Sequence, residues 1–325
     1  MLAILITMVV GMVAGPFRGN ANPFFWIFYD LLWGKAGDRL NRAGRSRGDL
    51  IFRGFLFTVF GVVFAFFIGR GVADMGESLR DGSTMEVVFV TLCLTSGTVW
   101  FILLRLYFAM EKDGSSKGAY FGISRSTRFN LNSTDDFGIV RAGIGYAGNS
   151  FDKGLVAPAF WYMLGGVPVL AVYSIISAFS WRFGRCGHTN GFGSVMLALE
   201  KLMGLVPAYL SGFLLAAAAA MTPTARMSKI LSAWWSVKHR VTYEQGGPVL
   251  TALAWPLDVM IGGPVQDLSG DKIPNGWVGP EGATAQLEHV HLRRAIYMHF
   301  MGCLLFLAVL GGAYLSSGAF FSPGG

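Results

Sequence analysis

Charged residues are scarce in this chain of 325 residues, at 14% of the sequence against an apolar share of 53%. A soluble domain carries about 25% charged residues, because it needs a polar surface around its core. The apolar residues of this chain also lie in long blocks. The scarcity of charge therefore argues against a soluble enzyme and indicates an integral membrane protein.

Cysteines are also few. The chain has three, and no two are close enough in sequence to form a CxxC pair. Cys93 and Cys303 lie in apolar blocks, where a thiol is usually buried and inert, and Cys186 is isolated. His289 and His291 are two residues apart and so lack the i, i+4 spacing of a helical zinc site. The sequence therefore predicts no metal site.

Phosphate-binding motifs are absent in their usual forms, since the chain has no GxxxxGK[ST] and no GxGxxG after a strand. The triplet Gly262–Gly263–Pro264 could bring backbone amides near an anion, although such triplets are also common as simple turns. The net charge is +7, but the basic residues cluster beside apolar blocks. That placement suits anionic lipid headgroups rather than nucleic acid, which is not an expected partner.

Five apolar blocks are long enough to cross the hydrocarbon core, which takes about 20 residues of helix. They cover residues 51–69, 87–109, 155–179, 195–220 and 297–320. A shorter block at 1–14 predicts a retained first span, because it lacks the basic leading segment and cleavage site of a signal peptide. The predicted fold is an all-α integral membrane protein with five to six transmembrane helices in a single membrane domain, 1–325.

The distribution of basic residues predicts the orientation. Segment 15–50 carries six Lys and Arg residues against three acids, whereas segment 70–86 has more acids than basic residues. The positive-inside rule then places the first segment in the cytoplasm and the second outside. Alternation makes 110–154 and 221–296 long cytoplasmic loops.

Shorter helices are predicted between the spans. Residues 24–40 suit a helix lying along the membrane interface, and 230–239 include the aromatic pair Trp234–Trp235 as an interfacial anchor. Residues 250–261 are apolar but too few to cross, which predicts a re-entrant or buried helix. Residues 283–294 predict a polar helix with Thr284 as its N-terminal cap.

Residues 154–168 resemble the CobD/CbiB family of cobalamin biosynthesis, whose pattern there is close to DGVVAPLFWYxLGGxPG. The matching groups are Ala157–Pro158, Phe160–Trp161–Tyr162 and Gly165–Gly166. Pro207–Ala208, Gly262–Gly263–Pro264 and Arg293–Arg294–Ala295 match further family segments, so the resemblance covers nearly the whole chain. More distantly, the chain resembles the AmpE-like membrane proteins, which keep the APxFW and GG core without the full acidic set.

The resemblance implies a membrane enzyme that uses ATP and Mg²⁺ to join an aminopropanol-phosphate unit to a corrinoid acid, forming adenosylcobinamide phosphate. Such an amide ligation needs an activated carboxylate and a clamp for phosphate charge. In an active enzyme the surviving polar residues would have to converge beside Gly262. The candidates are Asp152, Arg128, Asp135 and Glu244 for catalysis, and Gly262, Gly263 and Asn130 for cofactor binding.

The chain departs from the family pattern where charged residues are expected. Two glutamates are replaced by Gly145 and Asn149, and an aspartate by Lys153, with Asp152 one place away. A lysine, an asparagine and an aspartate are replaced by three serines, and an arginine by Tyr209. The serines are Ser174, Ser177 and Ser180. The segment 243–250 also lacks the glutamate that ends the corresponding family segment.

The chain thus keeps the apolar and glycine residues of the family pattern but not its charged residues. Charges in membrane segments are expensive and are usually kept for function. We therefore predict a catalytically degenerate relative that serves as an accessory or structural subunit of a membrane protein complex in the bacterial inner membrane. The alternative is an authentic adenosylcobinamide-phosphate synthase. The expected partners are the lipid bilayer and other membrane subunits.

Overall fold

The structure is a computed structural model of the chain. It describes residues 1–316 except 14–15, 17–18, 43, 79–81, 96, 117, 185–190, 224, 236–240, 269, 271 and 274. The predicted spans at 1–14 and 297–320 therefore end outside the described residues, and Cys186 also lies outside them.

The described chain is mainly helical. In chain order the α-helices are α1 Leu2–Gly11, α2 Phe24–Leu40, α3 Arg47–Ser78, α4 Gly82–Cys93, α5 Gly97–Asp113, α6 Phe121–Thr127, α7 Asp136–Phe151, α8 Ala157–Phe183, α9 Ser194–Ala220, α10 Met227–Trp235, α11 Gly247–Leu257 and α12 His289–Ser316. A π-helical turn, Asp152–Val156, joins α7 to α8.

Five helical segments of the described chain are long and apolar enough to cross a membrane. They are Arg47–Gly76, Thr84–Lys112, Asp136–Phe183, Ser194–Ala220 and His289–Ser316. Each overlaps one of the five predicted blocks, so the predicted helical membrane fold is confirmed. The helix in the sixth block, α1, has 10 residues and is about 15 Å long, half of the roughly 30 Å hydrocarbon core.

Two segments differ from their predicted structure. Residues 136–151, placed in a loop by the sequence, form α7, whose glycines lower its hydropathy but let it pack closely; a Cβ on Gly148 would meet Leu250 and Leu253 of α11. The prediction of a polar helix at 283–294 is wrong for the first half of this segment, because α12 begins only at His289. Thr284 instead forms a β-bridge with Val259, which holds this segment extended.

One compact unit comprises Asn22–Leu94 and Lys153–Pro207. Its core is aromatic. The centroid of the Phe57 ring is 4.7 Å from that of Phe179 and 5.8 Å from that of Phe192. α3 lies close along α8 because its contact positions are glycines. A Cβ on Gly69 would run into the backbone of Pro168. Small residues allow this close approach between membrane helices.

The Gly165–Gly166 pair bends α8 inside the same unit. Neither glycine has helical backbone angles, and Gly166 has a φ of 65°. That region of φ favours glycine, because a Cβ there meets the backbone. The second glycine of this pair, which carries part of the family resemblance, is therefore required by the shape of the helix.

The other unit comprises Met1–Ala21, Thr95–Asp152 and Ala208–Gly325. In it α7 packs against α11 and α12, and the buried helix α11 accounts for the short apolar segment predicted at 250–261. A small β layer follows α11. β1 Ile261–Gly262 pairs antiparallel with β4 Trp277–Val278, and β2 Val265–Gln266 pairs antiparallel with β3 Lys272–Ile273.

Candidate functional site

Asp135 and Asp136 organise the start of α7. Asp135 is the N-cap residue, and its Oδ1 accepts a hydrogen bond from the Gly138 amide at 2.9 Å. Asp136 Oδ1 accepts from the Ser116 amide at 3.0 Å and from the Ser116 hydroxyl. Aspartate is favoured at this position because its carboxylate satisfies an amide that the helix leaves unpaired. Both acids therefore have structural roles here.

Replacing Asp135 by alanine should remove this cap. We expect Asp135→Ala to lower the free energy of unfolding by about 1 kcal/mol, the usual cost of losing an N-cap. Asp135→Asn is the matched control, because asparagine also caps helices and should retain most of the stability. Thermal melting of the purified full-length chain measures both, and equal melting of Asp135→Ala and wild type would contradict the capping role.

Arg141, which sequence reasoning did not single out, connects the start of α7 to the β layer. Its guanidinium lies over the Trp277 ring, 5.3 Å from the centroid, and its Nη1 donates to the Ala285 carbonyl at 2.6 Å. Its Nη2 is 3.7 Å from Asp135 Oδ1. Trp277 is paired with Gly262 across the β1–β4 ladder. In the sequence, Arg141 stood out only as a single arginine in a run of small and apolar residues.

Three of the other predicted residues lie on the same β layer. The backbone N–H of Asn130 donates a hydrogen bond to the backbone carbonyl of Gln266 at 2.9 Å. Gly262 lies opposite Trp277, and a Cβ on Gly263 would meet the Trp277 ring. The structure therefore brings Asn130, Asp135, Gly262 and Gly263 into one region, where Arg141 supplies the positive charge.

Arg128 and Glu244 lie at the edges of this region. Arg128 ends α6 with a left-handed φ of 58°, next to the β-bridge between Phe129 and Asp267. Glu244 is exposed in the 3₁₀ turn Tyr243–Gln245. The Gln245 side chain lies against Gly276, next to Trp277.

Asp152 does not join the other candidates. It and Asp135 stand at opposite ends of α7, a helix of 16 residues, which separates them by about 25 Å at 1.5 Å per residue. Asp152 is buried, and its Oδ1 accepts a hydrogen bond from the Ser211 hydroxyl at 2.8 Å. The convergence that an active site would require of these residues is therefore not seen for Asp152.

A buried ion pair lies in the other unit. Lys153 Nζ is 2.8 Å from Glu200 Oε2, and the Ser180 hydroxyl donates to the same oxygen at 2.7 Å. Glu200 is only 1% exposed. No local sequence pattern connects the two residues, because Lys153 is 47 residues away from Glu200 along the chain. A buried carboxylate needs such a partner, since an isolated charge in a membrane protein is costly.

Arg182, near the end of α8, holds two acids of α2. Its Nε is 2.9 Å from Asp30 Oδ1, and its Nη2 is 2.6 Å from Asp38 Oδ2. Burial raises the pKa of Asp30, the adjacent Arg182 acts in the opposite direction, and Asp38 adds to the rise. This cluster ties α2 to α8.

The family resemblance implies Mg²⁺ and ATP as co-substrates of an active enzyme. Mg²⁺ is held by carboxylate and other oxygen ligands gathered at one point. Within the described part of the chain, no three or more His, Cys, Asp or Glu side chains form a group that could hold a metal ion. Glu200 is paired with Lys153, and Asp152 lies far from Asp135. The described side chains therefore form no all-protein metal cage, whereas Mg²⁺ carried by a nucleotide needs only one or two carboxylates besides the phosphates.

Five membrane-crossing segments in the described chain, together with acids buried inside them, define a polytopic helical membrane protein. The chain belongs to the CobD/CbiB family, because the sequence model described as CobD/Cbib protein matches residues 4–299.

Curated relatives carry the name cobalamin biosynthesis protein CobD. The protein of that name from Rhizobium meliloti (strain 1021) is 26% identical over 287 residues, which are 84% of either chain. The one from Brucella anthropi is 26% identical over 227 residues, 68% of this chain and 67% of its own. The one from Yersinia enterocolitica is 28% identical over 174 residues, 52% of either chain. No solved structure matches the chain significantly.

Proposed function

We propose that this CobD/CbiB-family protein is catalytically degenerate and serves as an accessory or structural subunit of a membrane protein complex in the bacterial inner membrane. The observation that carries the proposal is the contact of Lys153 and Ser180 with the single carboxylate of Glu200. These two positions are 27 residues apart, and the resemblance expects an aspartate at each of them.

The substitutions at 153 and 180 change the charge of one place in the fold. Aspartates at both positions would gather negative charge around residue 200, as cation binding requires. Here one ammonium and one carboxylate neutralise each other, and the Ser180 hydroxyl donates to the same carboxylate oxygen. Two departures that are separate in the sequence are thus one local change, from an acidic cluster to a neutral buried pair. This supports the loss of the amide ligation.

The outer surface of α3 is where the proposed subunits would contact the chain. Only 28% of the most apolar 18-residue stretch of this helix is buried within the chain. Its phenylalanines include Phe60 and Phe67, which are 60% and 67% exposed. Such a surface suits contact with lipid and with neighbouring apolar helices alike. The partners of this surface are proposed to be membrane subunits in addition to the bilayer.

A second candidate is the synthase itself, favoured by the family match over nearly the whole chain and by relatives named for cobalamin biosynthesis. In that case Asp152, buried and hydrogen-bonded to Ser211, is the acid nearest to the family aspartate position. This candidate requires that the chain ligate aminopropanol phosphate to a corrinoid.

Rescue of a cobalamin auxotroph that lacks its own CobD-family gene separates the two candidates. We expect the wild-type chain to fail to restore growth on the corrinoid acid, because the neutral pair at Glu200 replaces the acidic cluster. The strain's own gene is the positive control, and an immunoblot of the membrane fraction establishes that the chain is present. Growth that Asp152→Ala abolishes would overturn the proposal and establish the synthase.

A further inference from the structure

Hydroxyl groups on the helices of this chain usually bond back to their own helix. The Thr58 hydroxyl donates to the Gly54 carbonyl at 2.6 Å, the Thr91 hydroxyl to Val87 at 2.7 Å and the Thr222 hydroxyl to Ala218 at 2.8 Å. This bond to the carbonyl four residues earlier satisfies a hydroxyl without water.

The hydroxyls of α8 behave differently. Ser174 and Ser177 are 1% and 0% exposed, yet neither bonds to the carbonyl four residues earlier. The Ser174 hydroxyl neighbours the Cys93 thiol, and the Ser177 hydroxyl has no hydrogen-bond partner among the described residues. The phenol of Tyr29, which is close to Cys93, is also buried without a described partner. Burial raises the pKa of Tyr29, and Cys93 adds to the rise.

The serines lie along α8 inside the unit Asn22–Leu94 and Lys153–Pro207. Ser174, Ser177 and Ser180 are spaced by three residues, so they lie within about 120° of one another around α8. The row begins at Cys93 and ends where the Ser180 hydroxyl meets Glu200. Its length along the helix is about 9 Å, which about three hydrogen-bonded waters would span.

Buried polar groups in proteins are nearly always hydrogen-bonded, to ordered water where protein partners are lacking. A row of hydroxyls in a membrane-crossing helix has no bulk water to turn to. The Lys153 side chain at the end of the row is 23% exposed. The row therefore ends at a side chain that reaches the surface of this unit.

We propose that Ser174, Ser177 and Ser180 line a file of ordered water molecules that runs from the Cys93 thiol to the Lys153–Glu200 ion pair. The waters satisfy the Ser177 and Tyr29 hydroxyls and hydrate the buried carboxylate from within the membrane segment. The site binds water, whether or not the chain ligates a corrinoid, so the proposal does not depend on the proposed function.

Radiolytic footprinting of the full-length chain in its membrane tests this proposal. A short X-ray pulse makes hydroxyl radicals from water in place, and these oxidise the side chains next to that water. In H₂¹⁸O we expect Cys93 to take up ¹⁸O several-fold faster than Cys303. Cys303 is a matched control, because it is also in a membrane-crossing helix and is equally inaccessible, at 3% exposed against 1% for Cys93.

Two variants decide whether the hydroxyls hold the water. The double variant Ser174→Ala and Ser177→Ala should reduce Cys93 oxidation to the rate of Cys303, because an apolar wall no longer holds the file. Thr58→Val, which removes a buried hydroxyl that bonds to its own helix, should leave Cys93 oxidation unchanged. Equal oxidation of Cys93 and Cys303 in the wild type would overturn the proposal, as would an unchanged Cys93 rate in the double serine variant.

Discussion

Replacing Lys153 by methionine should destabilise the protein strongly. The substitution leaves the Glu200 carboxylate, 1% exposed, without its ammonium partner. Removing one partner of a buried pair costs about 3–5 kcal/mol, and we expect the lower end because the Lys153 side chain is 23% exposed. Thermal stability of the purified full-length chain, followed by size-exclusion chromatography after heating, measures the loss.

Two further variants separate the buried charge from other causes. The double variant Lys153→Met and Glu200→Leu should recover most of the lost stability, because no charge is left buried. Arg70→Ala removes an exposed pair, with Arg70 and Asp74 side chains 60% and 53% exposed, and should change the stability little. A double variant as unstable as Lys153→Met alone would show that the pair is not the source of the effect.

Replacing Gly69 by leucine should disrupt the packing of α3 on α8. A side chain at this position would run into the Pro168 backbone and the Ala171 side chain, neither of which can rotate away. Overpacking a core costs about 1–3 kcal/mol and more where backbone is in the way, so we expect a loss above about 3 kcal/mol or failure to fold. The yield and melting temperature of the chain in detergent report the outcome.

Gly71 provides the matched control on the same helix. Nothing lies within 4 Å of a Cβ built on Gly71. Gly71→Leu should therefore give wild-type yield and melting temperature. If Gly69→Leu behaves like Gly71→Leu, the close contact between α3 and α8 is not as described.

The membrane helices could be predicted from sequence because each presents a long apolar block, and α9 matches its predicted block to within a residue at its start. α7 could not, because its four glycines, together with its charged and amide side chains, lower its hydropathy although most of it is buried against protein. The β layer could not be predicted either. Its strands have two residues each, too few to show an alternating pattern.

The candidate site was predictable only in part. The Gly262–Gly263 turn and Asp135 could be singled out by residue type. The structure places the glycines against Trp277 and Asp135 near Arg141, whose guanidinium lies over the Trp277 ring. The pairing of Lys153 with Glu200 depends on how α8 and α9 pack, which no local pattern encodes. The sequence alone therefore showed that residues 153 and 180 depart from the aspartates that the family resemblance leads one to expect. It could not show that both residues contact the same carboxylate.

The most direct test of catalytic degeneracy is the reaction itself, with the purified full-length chain in lipid nanodiscs. The chain is incubated with the corrinoid acid, aminopropanol phosphate, ATP and Mg²⁺, and adenosylcobinamide phosphate is measured by mass spectrometry. We predict no product above the level of empty nanodiscs. Product that forms with the wild-type chain and is lost in Asp152→Ala would contradict the account.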